Sequence, residues 1–334
     1  MKRVWSVIAA GMVLMPALLM TLWAILAIYY SNLPWHFLRL VAAIVFPVIC
    51  IVIFAAVRPF RRAVLYFLGV FSVILVWWLL IPPSNNRHWQ PDVAVLPSAV
   101  IDGDILTIRN IRNCEYSTKT DYVVSYYDRT FDLSKLQGAD LFISFWGSPV
   151  IAHTLMSFCF EDDQYLCVSI ETRKETSEQY SAVKGFFKQY ELIYILGDER
   201  DLIKLRTNFR KETVYLYRLA AEPELVREVL FDYVKSVNEL NSKPQWYNAL
   251  TQNCTTAIRG HTAPYTHGKM SWKILANGYL DSLLYERGVI DTTMTFEQIK
   301  ALSRINDKAL KAGNSDEFSI IIREGLPNPH SGKQ

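Results

Sequence analysis

The sequence predicts an α+β domain carried behind an anchor of three N-terminal transmembrane helices. Three observations carry that prediction. Long apolar runs crowd the N-terminus, and no acidic residue precedes Asp92. Period-two alternation of apolar and polar residues dominates the middle of the chain, and helical periodicity dominates its last third. Antiparallel strands grouped together, with helices clustered after them, mark an α+β fold.

The apolar runs cover residues 5–29, 41–57 and 63–81. Crossing a hydrocarbon core takes roughly 17–25 residues of helix, so each is long enough. The first is too long for a signal-peptide core, and no small-x-small cleavage site follows it. Lys2 and Arg3 precede the first run, and Arg58, Arg61 and Arg62 separate the second from the third. The connection at 31–40 holds only Arg39. Lys/Arg excess marks cytoplasmic loops, so the N-terminus is expected inside and everything after Ile81 outside. Trp5, Trp35, Trp77 and Trp78 sit near the ends of the runs, where interfacial aromatics belong. The expected division is therefore a membrane anchor at 1–81 and one extracytoplasmic domain at 82–334.

Charge has to be read without the anchor. Six of the 35 basic residues and none of the 32 acidic ones lie before residue 82. The outer part therefore holds 29 basic against 32 acidic residues, a formal net of −3. The basic character of the whole chain belongs to the anchor, and nothing points to a nucleic-acid partner.

Pro82-Pro83-Ser84-Asn85-Asn86 reads as a polar exit linker. Residues 92–148 mix β-rich stretches, such as 122–127, with polar turns. Residues 150–160 and 165–172 read as strands flanking the turn Glu161-Asp162-Asp163-Gln164. Two more strands are expected at 191–196 and 213–219. Asp198-Glu199-Arg200-Asp201 between them reads as a salt-bridged turn. A helix is expected over 223–241, with Pro223 in its first turn and Leu225, Val229, Leu230, Tyr233 and Val237 at helical spacing. Residues 260–268 read as loop, and helical patterns resume at 272–287 and 295–305.

Of the five cysteines, Cys50 lies in an apolar run, while Cys114, Cys159, Cys167 and Cys254 lie outside without dense spacing. That is no disulfide scaffold. Cys159 and Cys167 flank the hairpin turn and read as two buried thiols, a cross-strand disulfide being the alternative. Cys254 stands apart because Asn253 before it is a good N-cap, which puts the thiol in a first helical turn. There the helix dipole and free N–H groups favour the thiolate, the form that attacks carbonyls. A small buried cysteine in a polar loop is the plainer reading of the spacing alone.

A thiol nucleophile needs a base. His153 lies in an apolar strand, where an imidazole is costly without partners; a satisfied core histidine is the alternative. The facing strand offers Ser169, Glu171 and Arg173 on one side and Leu166, Val168 and Ile170 on the other. If His153 shares the polar side, Glu171 is the natural group to orient it, but a one-residue slip in register reverses the faces. His261 and His267 with Cys254 match no common zinc spacing. No P-loop, GxSxG or dinucleotide fingerprint occurs, so neither metal nor cofactor is expected.

Four stretches taken together carry a resemblance: Ala152-His153-Thr154, Ser169-Ile170-Glu171-Thr172-Arg173, Asp198-Glu199-Arg200-Asp201, and Trp246-Tyr247-Asn248 through Asn253-Cys254-Thr255-Thr256. From about Trp89 to Ile305 the chain resembles the N-terminal periplasmic domain of Lnb, the bacterial lipoprotein N-acyltransferase B. The resemblance implies a circularly permuted papain-like (NlpC-type) thiol fold, similar also to lecithin:retinol acyltransferase, in a bacterial inner-membrane protein. It puts the nucleophile at Cys254 and the base at His153. Glu171 is expected to orient the base, with Asn253, Ser169 and Arg173 in support. The implied reaction moves an acyl chain from a lipid or lipoprotein ester through a thioester on Cys254. A papain-like envelope peptidase or amidase is the second reading, and an envelope assembly or binding module without chemistry is the third.

The topology has a direct check. Alkaline phosphatase fused after Gln334 is expected to be active and green fluorescent protein at the same point dark; the reverse result would invert the predicted orientation.

Overall fold

The computed structural model describes residues 2–31, 33, 35–265, 269 and 271–329, and of residues 2–10 the backbone alone. It divides into two units, Met1–Ser84 with Tyr180–Tyr190, and Asn85–Gln179 with Glu191–Gln334.

The first unit is built on α1 (Lys2–Tyr29), α2 (His36–Ala56) and α3 (Phe60–Leu80). By length and composition all three can cross a membrane, the first along Gly11–Tyr29. They meet along a seam that includes Ala17, Ala24, Ala43 and Phe67, where small residues let the backbones approach. Large apolar side chains such as Leu18, Ile51 and Leu80 face outward instead. Water would penalise that distribution and lipid does not.

The second unit is α+β, as expected. Its strands are β1 (Ser98–Asp102), β2 (Ile105–Arg112), β3 (Glu115–Tyr116), β4 (Tyr122–Val123), β5 (Tyr126–Asp132), β6 (Leu136–Phe145), β7 (Ala152–Phe160), β8 (Gln164–Arg173), β9 (Glu191–Gly197) and β10 (Thr213–Arg218). The helices are α4 (Glu199–Lys204), α5 (Pro223–Ser242), α6 (Cys254–Thr262), α7 (Trp272–Leu275), α8 (Leu280–Glu286), α9 (Phe296–Ser303), α10 (Asn306–Ala312) and α11 (Phe318–Ile321). The main sheet runs β1-β2-β9-β8-β7-β6-β10, with β5 on β2 and a separate β3–β4 pair. Of residues 98–145, β1, β2, β5 and β6 thus belong to the same sheet that carries the candidate site.

Several expectations change in detail. Asp198 N-caps α4, so Asp198–Asp201 opens a helix instead of forming an isolated turn. Residues 260–262 continue α6 instead of forming loop. The helical pattern at 272–287 breaks at Ala276-Asn277-Gly278, because these residues bind the strand start at Val150 and Ala152. Cys159 pairs with Tyr165 and Cys167 with Ser157, so the two thiols are not opposed, and both are free.

Alternation decides the two faces of the sheet. Phe142, Leu155, Cys167, Ile193, Ile195, Val214 and Leu216 face one way and pack against Leu202, Ile203, Ile305, Ala309 and Phe318. On the other face Phe158 and Tyr194 meet Tyr233 of α5, and Tyr194 meets His261 of α6. The first face also buries a charge cluster. Arg323 donates to Asp140 at 2.7 Å and to both oxygens of Glu199 at 2.7 Å, and Ser157 donates to Glu199 at 2.5 Å. Removing one member of such a cluster leaves an uncompensated buried charge, which costs about 3–5 kcal/mol. Arg323→Ala is therefore expected to lower the thermal unfolding midpoint by roughly 10 °C, readable by scanning calorimetry of the solubilised protein.

Candidate active site

The strands that carry the site part company where it forms. β7 and β8 pair only as far as Leu155↔Ser169. Beyond that point β7 stays paired with β6 to Ala152, and β8 stays paired with β9 to Arg173. The result is a fork at the end of the hairpin. His153 and Thr154 lie on one prong, and Ile170 and Glu171 on the other. The hairpin turn sets this register: Asp162 and Asp163 both take positive φ, and the pairing it imposes puts His153, Ser169 and Glu171 on one face.

Cys254 enters the fork at the start of α6. Asn253 holds it there, its side-chain oxygen accepting from the Thr255 and Thr256 amides at 3.0 and 2.9 Å. Thr256 Oγ1 accepts the Asn253 amide at 2.9 Å, completing a capping box. Upstream, the Asn248 and Gln252 backbones bond to each other and close a small loop that leads the chain into the cap.

The buried Cys254 thiol lies beside His153 and Thr154. Burial alone would raise its pKa, but the charge of His153, a hydrogen bond with His153, and bonds from the Thr154 amide and hydroxyl bring it down to about 6. Thr154 has an amide to offer because the fork withdraws it from the β7–β8 ladder.

Behind the histidine runs a polar chain. His153 Nε2 lies 2.8 Å from Ser169 Oγ, and Ser169 donates to Glu171 Oε1 at 2.7 Å. Glu171 also accepts from Arg206 Nη2 at 2.8 Å. Burial opposes ionisation of Glu171, yet Arg206 first, then His153, hold its carboxyl well below the usual range. Arg206 stands in a π-helical turn, Leu205–Phe209, that follows α4. Proton bookkeeping then assigns the tautomer. Ser169 gives its single proton to the ionised Glu171, so it accepts from His153, and Nε2 carries the hydrogen. Nδ1 is left as the basic nitrogen.

The expected site residues are thus sorted by position. Cys254, His153, Ser169, Glu171 and Asn253 come together. Glu171 lies 3.8 Å from His153 Nε2, so Ser169 makes the direct contact and Glu171 acts through it. Arg173 is elsewhere, clasping the Val93 and Ala94 carbonyls and Asn85 and lying over the Trp89 ring. His261 is buried against Tyr194 at 2.8 Å, and burial lowers its pKa to about 4 against the opposing pull of Asp232. Among the described residues no His, Cys, Asp or Glu group is arranged to hold a metal ion; His267 lies outside them.

Asn277 was missed from sequence. Its side chain accepts the Ala152 amide at 2.7 Å, donates to the Ala152 carbonyl at 2.6 Å and to Thr255 Oγ1 at 2.8 Å. It therefore ties the start of β7 to the start of α6. Gly278 beside it is required by space, since a Cβ there would lie 2.1 Å from the Pro149 carbonyl oxygen. The Asn-Gly dipeptide inside a helical pattern is the one signal that marks this break beforehand.

Residues 122–278 match the family described as the Lnb N-terminal periplasmic domain. This part of the chain belongs to that family. No curated protein and no solved structure matches the chain. The match to the Lnb domain contains every residue of the site, from His153 to Asn277, and ends at Gly278. With three helices long and apolar enough to span, the chain is a membrane protein with an extracytoplasmic Lnb-type C-terminal domain.

Alkylation of Cys254 by iodoacetamide, followed by peptide mass spectrometry, is expected to rise with pH through a midpoint near 6, since only the thiolate reacts. In His153→Ala the midpoint is expected to move up toward the ordinary thiol range near ~8.5, because burial is then less opposed. Gly278→Ala, which forces the Pro149–Val150 backbone away, is expected to slow the alkylation at pH 7 without touching either reactive side chain.

Proposed function

We propose that this protein is an envelope acyltransferase that works through a Cys254–His153 pair on acyl esters of membrane lipids or lipoproteins. The observation that carries the reading is the placement of the Cys254 thiol at the Asn253-capped start of α6, beside Thr154 and the His153–Ser169–Glu171 chain, and the lowered thiol pKa agrees with it. A thiolate so placed suits attack on an ester carbonyl. His153 Nδ1 takes the thiol proton, and the sulfur–acyl bond forms as the ester C–O bond breaks. The imidazolium returns its proton to the departing alcohol. An acceptor amine then attacks the thioester, its proton passes to His153, and the Cys254 thiolate leaves.

The first-turn amides of Thr255 and Thr256 are engaged by Asn253, so the helix-start donor assigned to the oxyanion is the Cys254 amide itself. Ser169 and Glu171 keep Nε2 protonated and compensate the imidazolium during both half-reactions. The order along the chain, histidine on β7 before cysteine on α6, supports a circularly permuted papain-like arrangement. Tethering by three membrane helices supports a lipidic substrate, and membership of the Lnb family supports a lipoprotein as one partner.

Comparing lipoprotein N-termini by mass spectrometry in cells with and without the protein tests the reaction. The expected result is loss of N-acylated termini on deletion and in Cys254→Ser, with at least a ~100-fold fall in transfer rate for His153→Ala. Unchanged acyl patterns would refute the transferase assignment. Full biological function in Cys254→Ser would point to a binding or assembly role.

A further inference from the structure

The connection between β8 and β9 is the part of the chain that the proposed chemistry leaves unexplained. Its residues Tyr180–Tyr190 cluster with the three apolar helices and not with the strands they join. The attachment is specific. Lys188 Nζ donates to the Trp78 and Leu79 carbonyls at 2.9 and 3.0 Å and to the Ile81 carbonyl at 3.3 Å. These are among the last carbonyls of α3 and the residue after it, where the helical ladder runs out; the Trp78 carbonyl also accepts the Ile81 amide at 3.3 Å. The same ammonium lies 4.6 Å from the Trp78 ring centroid. Gln189 donates to the Tyr30 carbonyl at 2.5 Å, just past the end of α1, and the Phe187 and Tyr30 rings lie 5.9 Å apart. The C-terminal ends of α1 and α3 lie on one side of the bundle, because α2 runs back between them. The segment is therefore held at the level where these helices leave the hydrocarbon.

Its composition fits that level. Tyr180-Ser181-Ala182-Val183-Lys184-Gly185-Phe186-Phe187-Lys188-Gln189-Tyr190 contains four aromatic residues, two lysines and no acidic residue. Glu178 and Glu191 stand outside it on either side. While Phe187 and Tyr190 are buried, Tyr180, Val183 and Phe186 are exposed at 47%, 48% and 42%. Exposed aromatics interleaved with lysine belong at the headgroup boundary, where apolar rings sink toward the acyl chains and ammonium groups reach phosphate.

We infer that residues 180–190 are an interfacial membrane anchor, with Tyr180, Val183 and Phe186 inserted into the lipid leaflet at the C-terminal ends of α1 and α3. The surface continues that of the spanning helices and takes lipid as its partner. The inference does not depend on the proposed chemistry, because it rests on contacts made wholly within the helical unit. Its consequence is a second attachment of the outer domain to the bilayer, made through the strand that bears Ser169 and Glu171 in addition to the linker after Ile81.

The test uses the full-length protein in vesicles of phosphatidylethanolamine and phosphatidylglycerol, with benzoylphenylalanine at one position at a time. Irradiation of the Val183 and Phe186 variants is expected to give mass-shifted peptides carrying covalently attached phospholipid. The variant at Leu310, exposed on α10 of the other unit, is expected to give none. Protein-only adducts, or no lipid adduct, at both 183 and 186 would overturn the inference. A lipid adduct at 310 equal to those at 183 and 186 would do the same, by showing that the labelling does not discriminate.

Discussion

The candidate site depends on a ladder that stops early. Antiparallel strands normally consume every inward amide and carbonyl in pairing, which leaves no donor for a reacting group. Here β7 and β8 separate after Leu155↔Ser169 while their outer partners keep hold of them. The gap is neither a frayed end nor empty. The capped start of α6 puts Cys254 at it, Asn277 hydrogen-bonds both backbone groups of Ala152, and Thr154 turns its amide to sulfur. A change that let the two strands zip together would remove the donor and displace the thiol at once.

Polarity on the inner face of the sheet is organised into chains that end on arginine. His153 leads through Ser169 and Glu171 to Arg206, while Ser157 leads through Glu199 to Arg323 and Asp140. A third buried arginine, Arg112, holds Asp201 with two bonds of 2.8 and 2.9 Å. All three pairings involve α4 or the π-helical turn after it. Buried charges are costly unless each is paired and hydrogen-bonded, so these contacts oblige α4 to sit in one position. That position delivers Arg206 to Glu171. The Asp198–Asp201 stretch thus bears on the site without touching it, by fixing the helix from which Arg206 projects.

The electrostatic consequence is a division of labour among the side chains. Arg206 keeps Glu171 ionised, Glu171 takes the Ser169 proton, and Ser169 accepts from His153 Nε2. The thiol side of the imidazole is then the basic one. Each step follows from counting donors and acceptors.

Sequence by itself determined what local pattern controls. Three apolar runs, the hairpin with its Asp-Asp turn, the proline-led helix and the Asn253 cap are all set by residues within a few positions of one another. The place of His153 on a strand and of Cys254 at a capped helix start was legible for the same reason, since each position has its own local signature. What tertiary structure alone decided are the contacts between distant segments. Asn277 reaches Ala152 across 125 positions, Arg206 reaches Glu171 across 35, and Ser169 displaces Glu171 as the direct partner of His153. Arg173, beside Glu171 in the sequence, turns instead to the segment at 85–94. Periodicity assigns a side chain to a face, but the point at which two strands separate is set by what is packed between them, and no local pattern records it.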